Sequence, residues 1–61
     1  MKFLRFEKLK DYGIDWSRVH TLRLEKAGKF PKRVRMGENS IAYIESEILA
    51  WLEARAAERA A

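Results

Sequence analysis

Seven of the thirteen lysines and arginines of this 61-residue chain fall within residues 18–36, where Glu25 is the only acid. They are Arg18, Arg23, Lys26, Lys29, Lys32, Arg33 and Arg35, so the segment nets +6, against +1 for residues 1–17 and −3 for residues 37–61. Side chains of this kind recognise anions. A guanidinium presents paired N–H donors to a phosphate or a guanine edge, and an ammonium neutralises backbone charge. A polarised basic block in so small a chain points to a polyanionic partner, nucleic acid first. The plain alternative is a solvated basic face with no partner. The residues around the charges favour the first reading.

Catalysis lacks its parts. His20 is the only histidine and there is no cysteine. His20 with Glu25 or Asp15 falls short of the three protein ligands of a catalytic zinc site. It reads instead as a surface or phosphate-contacting residue. Ser17 stands without a base to activate it. Gly28 and Gly37 are isolated and form no phosphate-cradling loop. Trp16 and Trp51 read as core residues rather than stacking platforms for single strands. A chain of this length buries only about 60% of its unfolded surface, which leaves no room for a deep catalytic pocket. The expectation is a protein that is not an enzyme, with no cofactor, no metal and no small-molecule substrate. No disulfide framework is possible, and no apolar run approaches the roughly 18 residues of a membrane span. Met1 to Lys10 is too charged for a signal peptide, so a cytoplasmic location is expected.

The elements that must position the basic residues follow from turn and cap chemistry. Phe3-Leu4-Arg5-Phe6 reads as one strand-like segment. Glu7 to Tyr12 forms a brief helix that Gly13 stops in a left-handed conformation. Ile14 and Trp16 fold inward from a turn. Ser17 caps a second helix from Arg18 to Ala27, ended by Gly28. Its core stripe is expected to be Leu24 and Ala27 with Thr21 beside them. Arg18, Val19, Leu22 and Lys26 lie opposite, with Arg23 on the flank. Phe30-Pro31 breaks the helix. Val34-Arg35-Met36 and Ile41-Ala42-Tyr43, joined through Gly37-Glu38-Asn39-Ser40, read as a β-hairpin. Val34, Met36 and one or two of Ile41 and Tyr43 are expected on its inner face, with Lys32, Arg33 and Arg35 pointing outward. A last helix begins near Glu45 or Ser46, with Ile44, Ile48, Trp51 and Leu52 as its core stripe. Glu45, Glu47, Glu53 and Glu58 read as its solvated face, and Arg55 to Ala61 as an extension or a fraying end. This order is that of a small α+β winged helix-turn-helix, three helices plus a β-hairpin wing, in one domain over residues 1–61. Its second helix is expected to enter the major groove.

The chain also resembles the AlpA family of small phage and prophage regulators, over Phe3 to Arg55. The resemblance lies in Ser17-Arg18-Val19-His20, then Arg23 to Val34, then Ile44-Glu45-Ser46-Glu47-Ile48-Leu49-Ala50-Trp51. That family is similar to excisionases and to the DNA-binding head of MerR-type regulators. The resemblance implies sequence-specific binding of double-stranded DNA that controls transcription, prophage excision or both, with integrase or RNA polymerase as candidate partners. One departure is Thr21, where the family commonly places a larger aliphatic side chain facing the core.

The expected recognition helix uses Ser17, Arg18, Val19, His20, Leu22, Arg23 and Lys26, and the expected wing Lys32, Arg33, Arg35, Asn39 and Ser40. Arg18 and Arg23 suit bidentate contacts, and Val19 and Leu22 suit thymine methyls. The remaining cations suit phosphates. So small a module is expected to bind as adjacent copies on repeated sites. The alternative class is a protein-interaction module, an antirepressor or adaptor, whose basic face meets an acidic partner.

Overall fold

The computed structural model describes residues 1–59, so the expectation for the chain end beyond Arg59 lies outside the described residues. It is a small α+β fold of three helices and one three-stranded antiparallel sheet. Strand β1 is Phe3–Leu4, β2 is Val34–Arg35 and β3 is Ile41–Ile44, in the spatial order β1-β3-β2. The central strand pairs Phe3 with Ile44 and Leu4 with Tyr43 on one side. On the other it pairs Val34 with Ala42 and Arg35 with Ile41. A 3-10 helix spans Phe6–Tyr12, α1 spans Arg18–Lys26 and α2 spans Glu45–Glu58.

Two glycines set where the first two helices end. Gly13 has φ 89° and Gly28 φ 75°, the left-handed region that costs a side chain with a Cβ. Each closes a paired set of backbone bonds. Ile14 N–H reaches Leu9 O at 3.0 Å and Gly13 N–H reaches Lys10 O at 3.1 Å. Lys29 N–H reaches Leu24 O at 2.9 Å and Gly28 N–H reaches Glu25 O at 3.1 Å. These six-to-one and five-to-two bonds are the Schellman pattern, and they satisfy carbonyls a helix end leaves orphaned. At the other end of α1, Ser17 Oγ accepts His20 N–H at 3.1 Å, as its position before the helix predicts.

The core gathers Leu4, Leu9, Ile14, Phe30, Tyr43 and Ile48, all buried. Trp16, Leu24, Trp51 and Leu52 pack against it half-buried. Trp51 stands 4.9 Å from Phe30 and 5.7 Å from Trp16, ring centre to ring centre and edge to face. Its Nε1–H donates to Lys29 O at 2.8 Å, which ties α2 to the segment leaving α1.

Three expectations are corrected here. Met36 is 47% exposed, not on an inner face. The last residue pair of the ladder is Arg35 with Ile41, and Met36 is the next residue toward the hairpin tip, bonded by its N–H to Ser40 O at 2.8 Å. Ala27 is an exposed cap residue. The buried line of α1 is Thr21 with Glu25, one turn apart, and Leu24 beside them. Glu45 is not simply solvated. Its carboxylate accepts the Tyr12 hydroxyl at 2.6 Å and lies 3.6 Å from Lys2 Nζ, while its N–H donates to Lys2 O at 2.9 Å. Thr21, the residue smaller than the resemblance leads one to expect, is fully buried. Its hydroxyl donates to Ser17 O at 2.9 Å, so the small polar side chain is satisfied rather than a gap.

Candidate nucleic-acid interface

Helical periodicity divides α1 into lines four and three residues apart. Thr21 and Glu25 face inward. Val19, Arg23 and Lys26 form the outermost line, and with Leu22 they surround a shallow open groove of about 220 Å³. Val19 is 66% exposed and Leu22 39% exposed, so both aliphatics are on the surface, as expected of the outer side. Leu22 and Lys26 also line a second groove of about 450 Å³, whose other residues are Glu25, Lys32 and Arg33. The outer side of α1 and the root of the hairpin thus form one continuous surface.

Its charge is largely uncompensated. Arg23, Lys26, Lys29, Lys32 and Arg35 are exposed and make no ion pair among the described residues. Arg18, first in α1, is held from both sides. Its Nη2 donates to Glu7 Oε1 at 2.9 Å, and its guanidinium carbon lies 4.5 Å from the Phe6 ring centre. Both side chains of that pair remain more than half exposed, the setting in which an ion pair exchanges readily with solvent or another anion. Arg18, Glu7 and Phe6 share a narrow cleft of about 110 Å³ with Arg5, Asn39 and Ile41. The hairpin tip therefore reaches the start of α1, and Asn39 shares this cleft with Arg18. Arg5 joins them without having been singled out by sequence. Ser40 serves the tip through its backbone, its carbonyl accepting Met36 N–H at 2.8 Å.

Two of the expected contact residues make contacts within the protein. His20 is exposed but turned onto Trp16, with ring centres 5.1 Å apart and planes 82° to each other. It lies on the flank of α1 away from Leu22 and Arg18, toward the aromatic cluster. Arg33 does not point outward. It is folded back onto Glu25, in a polar cluster that also takes in Tyr43.

In that cluster Glu25 Oε1 accepts the Arg33 backbone N–H at 3.0 Å and Nε–H at 3.0 Å, and Oε2 accepts Nε–H at 3.1 Å and Nη2 at 2.8 Å. The Tyr43 hydroxyl donates to Oε2 at 2.8 Å. Glu25 is 5% exposed and Tyr43 fully buried. Burial alone would raise the Glu25 carboxyl. The bonds from Arg33 and Tyr43 outweigh it and hold the carboxyl below the ordinary carboxylate range. Burial, and then the bond to Glu25, push the Tyr43 phenol upward. One signal in the sequence could have found this cluster. A lone acid on the inner side of a helix must be paired, and Arg33 is the cation that the Phe30-Pro31 bend returns toward it.

Among the described residues no group of three His, Asp or Glu side chains could hold a metal ion, and no helix is long and apolar enough to cross a membrane. No curated protein matches the chain. Residues 2–56 match the family model described as Prophage CP4-57 regulatory protein (AlpA). The matched stretch runs from β1 through most of α2 and takes in the helix, the cluster and the hairpin just described. The chain belongs to the AlpA family of prophage regulatory proteins.

Proposed function

We propose that this protein is a winged helix-turn-helix that binds double-stranded DNA sequence-specifically, without catalysis, to regulate a prophage or mobile element. One observation carries the reading. The outer line of α1 continues into the hairpin root as a single exposed surface on which Arg23, Lys26 and Lys32 have no carboxylate partner among the described residues. The nine residues of α1 make a rod about 14 Å long, suited to a major groove about 12 Å wide. Arg23 at the centre of the outer line takes the base-reading role, and Val19 and Leu22 meet thymine methyls. Lys26, Lys29, Lys32 and Arg35 meet phosphates, and Asn39 and Arg18 meet the backbone at the hairpin tip. Ser17 presents the first turn of α1, whose N–H groups suit a phosphate.

Two tasks use such a surface. As a recombination directionality factor the protein binds beside an integrase core and bends the DNA toward excision. As a transcriptional regulator it occupies a promoter and meets RNA polymerase. Footprinting on the attachment region and promoters of the element that encodes the chain tests the common claim. The expected result is a short protected site that survives an excess of scrambled duplex. Equal affinity for the scrambled sequence would overturn it. Excision in a purified reaction with the element's integrase, compared with transcription from the footprinted promoter, then separates the two tasks.

A further inference from the structure

α1 is joined to the sheet less closely than its neighbours are. β1, β2 and α2 all pack directly along β3, whereas α1 makes no comparably extensive approach to any other element. Among the described residues a single side-chain cluster bonds α1 to the hairpin, that of Glu25, Arg33 and Tyr43. Glu25 sits in the last turn of α1. Arg33 is the residue immediately before β2, and its backbone N–H and its side chain are both held by the same carboxylate. Tyr43 belongs to β3. One buried carboxylate therefore fixes three elements at the point where the wing leaves the body.

We infer that Arg33 is a positioning residue rather than a DNA contact: through Glu25 and Tyr43 it locks the hairpin to α1, so that base reading by the helix and phosphate contact by the wing occur in one register. This deepens the DNA-binding reading and rests on it. A planar guanidinium bonded through Nε and Nη2, with its own backbone N–H bonded to the same group, defines both the direction and the rotation of the hairpin root. An ammonium at that position supplies charge without the fork. The two roles therefore separate on chemistry. A phosphate contact follows charge and acts on every duplex alike. A strut follows geometry and acts on the cognate duplex, where contacts from two elements must fit together.

The experiment measures affinity of wild type, Arg33→Lys, Arg33→Gln and Tyr43→Phe for the footprinted duplex and for a scrambled one, across a range of salt. It is run below the melting range of every variant, judged by circular dichroism. Arg33→Lys is expected to lose about fivefold or more on the footprinted duplex and to keep wild-type affinity and salt slope on the scrambled one. Arg33→Gln is expected to show the same pattern. Wild-type behaviour of Arg33→Lys would overturn the inference. So would an equal loss on both duplexes in Arg33→Gln with a slope shallower by about 0.9. If the Arg33 variants do not fold, Tyr43→Phe decides. It keeps the buried ring, removes one donor to Glu25 and lies where DNA does not reach, so a lowered specificity ratio supports the strut and an unchanged one overturns it. A wild-type protein with no preference between the duplexes would remove the DNA reading and this inference together. A wild-type preference that survives Arg33→Lys removes the strut alone.

Discussion

At the scale of single residues, Glu7 and Glu25 show two ways in which an acid can serve a basic surface. Glu7 holds Arg18 at the surface, where an exposed pair is worth only about 0.2–1 kcal/mol. If Arg18 meets DNA, it exchanges Glu7 for a phosphate, and Glu7 is then a negative charge close to the backbone. Glu7→Gln is therefore expected to tighten DNA binding, by up to about fivefold at low salt, with the gain fading as salt screens it. Titration by fluorescence anisotropy at two salt concentrations checks this, and weaker binding would show that Glu7 orients Arg18 rather than competes for it. Glu25 is buried, and its effect is on the fold. Its carboxyl is lowered in the folded state, so its stabilising contribution is complete above the unfolded value of about 4.3 and is lost as pH falls through the lower, folded value. The Glu45 carboxyl is lowered in the same direction, first by its bond from Tyr12, and adds a smaller, solvent-screened part. Glu25→Gln is expected to be less stable at neutral pH and to lose less on acidification. Urea unfolding of both proteins at a series of pH values is the check, and parallel curves would place the titrating group elsewhere. Glu7 gave no signal in the sequence, because an acid eleven residues from its partner can be paired only when the fold is known.

At the scale of elements, punctuation was legible and depth was not. Gly13, Ser17, Gly28 and Pro31 mark helix ends by local stereochemistry, which does not depend on the rest of the chain, and α1 begins and ends where they place it. The apolar spacing of Ile44, Ile48, Trp51 and Leu52 likewise located α2. Which hairpin residues are covered depends instead on how far the body extends beneath the sheet. Alternation placed Met36 with Val34, yet Met36, next to the hairpin tip, is exposed. The outward placement of Arg33 failed for a related reason, since strand alternation says nothing about the residue before the first ladder pair. Two predictions belong to this scale. Gly28→Ala meets no steric obstacle, for nothing lies within 4 Å of the added Cβ, so its cost is the left-handed backbone alone. A loss of about 1–2 kcal/mol in chemical denaturation is expected, and no loss would mean that the α1 terminus relaxes freely. Trp51→Ala removes the ring that meets Phe30 and Trp16 and the donor to Lys29 O. It is expected to cost about 3–5 kcal/mol or to unfold the domain. A folded, fully stable variant that lost only DNA binding would make Trp51 a contact residue.

At the scale of the whole molecule, the sequence located the basic block correctly in the chain but overstated how many of its charges face outward. Seven cations lie within residues 18–36. Arg33 is consumed by Glu25 and Arg18 is shared with Glu7, which leaves Arg23, Lys26, Lys29, Lys32 and Arg35 exposed and without ion pairs among the described residues. Those five can neutralise phosphates without first breaking a contact in the protein. Each phosphate neutralised releases condensed counterions, so affinity for duplex DNA is expected to fall with salt at a slope of about −4 to −5 in log–log form. The partition of that slope tests the surface as drawn. Lys32→Ala with Arg35→Ala removes two of the five and should flatten the slope by up to about 2 on any duplex. Neutralising Arg33 should leave the slope on non-cognate DNA where it was, because its charge is already spent inside the fold. A pair at Arg55 and Glu58, on the far end of α2, provides the control. Removing both charges should change nothing, since neither lies on the surface shared by α1 and the hairpin. If the Lys32 and Arg35 double variant keeps the wild-type slope, the hairpin does not meet phosphate and the interface is confined to α1. If the Arg55 and Glu58 variant alters it, the DNA extends along α2, and the grooves beside Leu22 and Lys26 are not the centre of the contact.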